Sequence, residues 1–138
     1  MPRQLIGIDV GGSSIKAGLV DLDAGRLVGD LSSAPTPQPS SPAAMLAVFQ
    51  ELVGRFPGAQ GNVGIAMPSV VKHGKVCTAA NIDRGWIGVD GPALVEKPLG
   101  RSAIFLNDAD AAGVAEVTWG AGKGAKGTVI MLTFGTGI

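Results

Sequence analysis

Apolar residues fall in short runs along this chain, separated by glycine and polar turns, and their spacing changes from run to run. Residues 4–10 form one such run closed by Gly11-Gly12, and residues 15–20 a second closed by Asp21-Leu22-Asp23-Ala24-Gly25. Runs of this length bounded by turn residues predict strands, here two joined by a tight Gly-Gly turn. Residues 26–31 add a third and complete an antiparallel meander. Four prolines and four serines then interrupt residues 32–42 and predict a surface loop, a plain connector or alternatively a mobile flap over a ligand.

Ser41-Pro42 supplies an N-cap and a proline for the first helical position. Met45, Phe49, Leu52 and Phe56 follow at helical spacing until Pro57-Gly58 ends the pattern. Val63, Ile65 and Met67 alternate as in a buried strand over residues 62–67, which Pro68 terminates. A small hairpin is expected around His73-Gly74, a short helix over 92–97, a strand over 102–106 and a helix over 108–119 with an acidic first turn. A glycine and lysine turn covers 120–127, and a last strand is expected over 128–134.

The order is β-β-β-α-β-α-β-α plus a final strand, and it predicts an α/β fold with a mixed five-stranded sheet and flanking helices. Strands 4–10, 62–67 and 102–106 would run parallel through right-handed crossovers. Their carboxyl ends would then bring Asp9, Pro68-Ser69 and Asn107-Asp108 to one rim, where open α/β sheets bind ligands.

Composition narrows the class. With 138 residues, 46% apolar and 16% charged, the chain is expected to form one globular domain rich in tight turns, for which its 22 glycines are suited. A formal net charge of zero argues against nucleic-acid or membrane-surface binding, which ordinarily shows a basic excess. Cys77 alone forms no internal disulfide, and the N-terminus lacks the pattern of a signal peptide, so a reducing cytoplasm is expected. No apolar run reaches the roughly 20 residues of a membrane span.

Three short motifs carry candidate chemistry. In Asp9-Val10-Gly11-Gly12-Ser13-Ser14-Ile15-Lys16, glycines let backbone N–H groups face phosphate oxygens, Asp9 suits Mg²⁺ held through water, and Lys16 adds positive charge. An ordinary hairpin in which Asp9 bonds the turn is the alternative. In Asn107-Asp108-Ala109-Asp110, an exposed Asp108 suits a general base and Asn107 a sugar contact, or else Asp108 or Asp110 simply caps the helix. Leu132-Thr133-Phe134-Gly135-Thr136-Gly137 runs from an apolar stretch into Gly-x-Gly, either a second phosphate clamp or a common turn. Gly122-Lys123 is followed by Gly124 where a nucleotide P-loop needs Ser or Thr, and one histidine with one cysteine makes no zinc site.

Together and in this order, the three motifs resemble those of the ROK family of bacterial sugar kinases and sugar-responsive repressors. That family belongs to the actin and hexokinase superfamily with its ribonuclease H-like lobes. The segments 78–88 and 107–113 look most like the actinobacterial polyphosphate glucokinases of that family. The resemblance implies that residues 1–138 are an N-terminal lobe. It implies Asp108 as the base, Asn107, Asn81 and Ser69 as sugar contacts, and Gly11, Gly12, Ser13, Lys16, Thr133, Gly135, Thr136 and Gly137 as phosphate contacts. It also implies Mg²⁺ at Asp9, glucose or a related hexose such as mannose as acceptor, and polyphosphate or ATP as donor. Members commonly dimerise through a second lobe that also supplies further sugar contacts, so the lobe in isolation is expected to fold imperfectly or to lack turnover. Ala66-Met67-Pro68-Ser69 stands where the family commonly has Gly-x-Pro-Gly. A sugar-sensing binding module of the repressor branch is the competing expectation. Such repressors carry a DNA-binding segment before the first motif, where this sequence has four residues before Leu5.

Overall fold

The computed structural model describes residues 3–134. Strands β1 (Gln4–Val10), β2 (Ser14–Asp21) and β3 (Arg26–Pro35) form the meander. Helix α1 (Pro42–Gly54), strand β4 (Val63–Met67), the hairpin strands β5 (Val71–Lys72) and β6 (Lys75–Val76), and a single 3₁₀ turn (Arg84–Trp86) follow. Helix α2 (Gly91–Leu99), strand β7 (Ala103–Asn107) and helix α3 (Asp108–Trp119) complete the elements. The main sheet has the order β3-β2-β1-β4-β7, with β1, β4 and β7 parallel and the meander antiparallel.

Strand alternation divides the sheet into two unlike faces. On one, Ile6, Ile8, Val10, Ile15, Val63, Ile65, Met67 and Phe105 are buried with Met45, Phe49 and Leu52 of α1, Val95 of α2 and Trp86. The helices that cover it are capped by side chains, the first by the serine its sequence suggests. Ser41 Oγ accepts from the Ala44 N–H at 3.3 Å and Asp90 Oδ1 from the Ala93 N–H at 2.9 Å. The other face is largely bare. Leu31 and Ile104 are 54% and 53% exposed, and α3 lies over the β4 and β7 side without burying any of its own residues.

Two expectations need correction. The break in regular structure expected from residue 32 begins later, because Ser32, Ser33 and Ala34 pair with Ala17, Lys16 and Ile15 and extend β3 to Pro35. β3 is an edge strand, where a proline removes no ladder bond from the interior. The strand expected over 128–134 is not formed: these residues have no regular structure, and Ile130 and Leu132 are exposed. A strand needs a neighbour to satisfy its backbone groups, and none pairs with this segment among the described residues.

Candidate functional site

Neighbouring strands lie about 4.8 Å apart, so the carboxyl ends of β1 and β7 stand about 10 Å apart across β4. Asp9 pairs in register with Ala66, and Ala66 with Leu106, which places all three in one row beside this rim. Asp9 is exposed at the rim, and partial desolvation of its carboxyl and, next, the negative charge of Asp108 push its pKa above the ordinary carboxylate value, while Lys16 pulls it down. A raised folded-state pKa means that ionised Asp9 opposes folding at neutral pH, and that this penalty disappears as acid protonates the group. Asp9→Asn is therefore expected to raise Tm at pH 7, with the difference from the parent shrinking as pH falls to the ordinary carboxylate range. Melting curves across pH check this, and a variant that melts lower at pH 7 would contradict it.

The turn beyond Asp9 is built around a close backbone approach. The Gly11 N–H donates to Ser14 O at 3.0 Å, and a Cβ on Gly11 would sit 2.6 Å from that same oxygen. Gly11 therefore cannot carry a side chain without shifting backbone. Gly12 faces open space instead, with nothing within 4 Å of a Cβ added there. The N–H groups of Gly12 and Ser13 donate to no group among the described residues. Two adjacent free amides at a glycine turn form a ready anion site. Lys16 pairs in register with Asp9 and presents its charge on the same face of the sheet.

At the end of β7, Asn107 is the helix cap. Its Oδ1 accepts from the Asp110 N–H at 3.0 Å and its Nδ2 donates to Ser69 O at 2.9 Å. Capping thus falls to Asn107, and Asp108 is left exposed in the first turn of α3, accepting from the Ala109 N–H at 2.8 Å. Asn107 keeps one amide hydrogen and acceptor capacity for a ligand. Its bond to Ser69 ties the β4 and β7 ends together. Ser69 itself is 3% exposed, and its Oγ has no hydrogen-bond partner among the described residues. Asn81 is exposed in the loop after β6, whose start is held beside Ser69 by bonds between Cys77 N–H and Val70 O and between Val70 N–H and Thr78 Oγ1.

The structure thus brings Asp9, Gly11, Gly12, Ser13, Ser69, Asn107 and Asp108 to one rim, with Lys16 beside it. Thr133 is exposed in the irregular segment after α3, and Gly135, Thr136 and Gly137 lie outside the described residues. Among the described residues no group of three His, Cys, Asp or Glu side chains converges on a metal position, and no helix is long and apolar enough to cross a membrane. A trough of about 610 Å³ on the bare sheet face includes Asp9 and Lys16 but is otherwise walled by residues such as Leu5, Val20 and Leu106. That lining offers few hydrogen-bond partners to a sugar or phosphate, so the polar rim is the candidate site.

The residues overlooked in the sequence are Thr36, Gln38 and Ser40. The segment expected to be a connector or flap holds the glycine turn. Thr36 Oγ1 donates to Gly11 O at 2.7 Å, the Thr36 N–H to Ser13 O at 3.0 Å and Gln38 Nε2 to Gly12 O at 3.4 Å. A threonine between two prolines was the available signal.

A family model described as "ROK family" matches residues 5–138. The chain is 51% identical over 137 residues to a polyphosphate glucokinase of Mycobacterium tuberculosis (strain CDC 1551 / Oshkosh), covering 99% of this chain and 51% of that relative. The chain thus spans about half the length of the curated relative it matches. Among solved structures, the inorganic polyphosphate/ATP-glucomannokinase of Arthrobacter sp. strain KM superposes with a TM-score of 0.85 at 42% identity, over 90% of this chain and 51% of that one. A ROK family glucokinase from Streptomyces griseus in complex with glucose and AMPPNP superposes with a TM-score of 0.77 at 33% identity, over 88% of this chain and 38% of that one. The five-stranded sheet with its flanking helices is the ribonuclease H-like fold of these sugar kinases. By its sequence match and its fold, the chain belongs to the ROK family.

Proposed function

We propose that residues 1–138 are the N-terminal lobe of a hexose kinase that transfers a phosphoryl group from polyphosphate or ATP to the 6-hydroxyl of glucose or mannose. The observation that carries this reading is the convergence at one rim of two free turn amides and an exposed carboxylate that does not cap its helix. The uncovered apolar sheet face supports a lobe that packs against further chain. The 51% identity to a polyphosphate glucokinase supports the choice of substrates.

In the complete enzyme, the Gly12 and Ser13 N–H groups hold donor phosphate oxygens. The motif that Gly135, Thr136 and Gly137 form with Thr133 is assigned the same task. Asn107, with Asn81 and the Ser69 turn, orients the sugar. Asp108 accepts the proton of the 6-hydroxyl as that oxygen bonds to the terminal phosphorus and the bond to the donor breaks, releasing ADP or a polyphosphate shorter by one unit. Positioning and charge neutralisation supply most of the rate in such transfers.

The residues present fit Mg²⁺ bound mainly by water and phosphate oxygens. Asp9 offers an exposed carboxylate at the rim whose ionisation is opposed first by partial desolvation and then by the charge of Asp108, both of which a hard cation offsets. When bound, the ion neutralises charge on the donor phosphates; Asp9 is the residue that would hold it. A coupled glucose 6-phosphate assay on the full-length protein, run separately with ATP and with polyphosphate, tests the function. Turnover with at least one donor is expected, and none with either would refute it.

A further inference from the structure

Three successive carbonyls of the phosphate turn, those of Gly11, Gly12 and Ser13, each accept a hydrogen bond from the single segment 36–38. A peptide unit is planar, so the C=O of one residue and the N–H of the next point in opposite directions within one rigid plane. Fixing Gly11 O therefore aims the Gly12 N–H, and fixing Gly12 O aims the Ser13 N–H. These are the two amides left free at the rim.

The segment is itself anchored at both ends. Pro35 closes β3 in register with Ser14, and beyond Pro39 the buried Ser40 accepts from the Asp83 N–H at 3.1 Å through Oγ and from Trp86 Nε1 at 3.0 Å through its carbonyl. Trp86 is fully buried in the core, and Thr36 is 7% exposed. Pro35 and Pro37 restrict the backbone on either side of Thr36. A plain surface connector would need none of these bonds.

We propose that residues 36–38 are a positioning strap for the donor-binding turn, with the Thr36 hydroxyl fixing the peptide plane that aims the Gly12 N–H at phosphate. The inference rests on the reading of that turn as the donor site. Neither Thr36 nor Gln38 is assigned a contact with substrate.

The test is steady-state hexose phosphorylation by the full-length protein, varying donor at saturating sugar and sugar at saturating donor. Thr36→Val keeps the shape and removes the hydroxyl donor. Its donor KM is expected to rise about tenfold, the equivalent of one lost positioning bond, while the sugar KM stays within about twofold. Thr36→Ser restores the parent donor KM. Asp90→Ala loses the N-cap bond of α2 without touching the strap or the turn, and its donor KM is expected to stay at the parent value. An unchanged donor KM in Thr36→Val, or an equal rise in Asp90→Ala, would overturn the strap. If Thr36→Val does not fold, Gln38→Ala at an exposed position is expected to raise the donor KM about threefold, and no change would again overturn the proposal. A parent protein that phosphorylates no hexose refutes the functional reading separately. The strap is then decided by ¹⁵N relaxation, which shows added motion at Gly12 in Thr36→Val if the hydroxyl fixes that plane and no change if it does not.

Discussion

Asp108→Asn in the full-length protein is expected to lower kcat for hexose phosphorylation by about 10²- to 10⁴-fold, the usual contribution of a positioned general base. Sugar affinity should survive, because the amide is nearly the same shape and Asn107, not Asp108, ties α3 to Ser69. The fold should survive as well. The α3 cap is the Asn107 carboxamide, so the substitution removes only a charge near the helix N-terminus, worth about 0.3–1 kcal/mol. The coupled assay with glucose-dependent thermal protection separates these effects. A purely structural Asp108 would give the reverse pattern, a lowered Tm with turnover retained.

Gly12→Ala separates the phosphate turn from an ordinary hairpin. The backbone of Gly12 is not left-handed, and a methyl there meets nothing within 4 Å, so the substitution is compatible with the fold. Restricting the unfolded chain is expected to stabilise the protein by about 0.4–1 kcal/mol. A donor phosphate seated on the Gly12 and Ser13 amides would occupy that open space, and kcat/KM for the donor is expected to fall about 10²-fold as a transition-state hydrogen bond is displaced. Higher stability with lower activity is the signature of a space reserved for a ligand. Unchanged donor kinetics would return Gly12 to the role of a turn residue.

Much of this was legible in the sequence because local rules and tertiary packing agree. Met45, Phe49 and Leu52 recur at helical spacing and are buried in α1, and Val63, Ile65 and Met67 alternate and are buried in β4. The bounds of α3 follow from the acidic first turn and Gly120. The failures have physical causes that lie outside any local window. Proline density around residue 35 reads as a break, yet the strand continues because its outer edge has no partner to lose. Residues 128–134 have the composition of a strand, but a strand forms only where a neighbour exists. Phe56 fits the helical period but lies just past the end of α1.

The site divides in the same way. Its acidic and glycine residues were visible because their chemistry is unusual for plain turns, and parallel strand order alone brings them to one rim. Neither role of Asn107 was visible: the sequence offers Asp108 or Asp110 as the cap that Asn107 provides, and its bond to Ser69 spans 38 residues and depends on β4 lying beside β7. Thr36 was hidden for a similar reason, since its partner Gly11 is 25 residues away and the intervening chain must form the complete meander first.

A titration of Mg²⁺ and inorganic tripolyphosphate into the ¹⁵N-labelled full-length protein, followed by amide chemical shifts, tests the rim most directly. A donor gripped there predicts large, saturating shifts at Gly12 and Ser13 with smaller ones near Asp9 and Asp108, and none at Lys72 and Lys75 of the β5–β6 hairpin. Shifts confined to those hairpin lysines, with Gly12 and Ser13 unmoved, would contradict a phosphate site at the glycine turn.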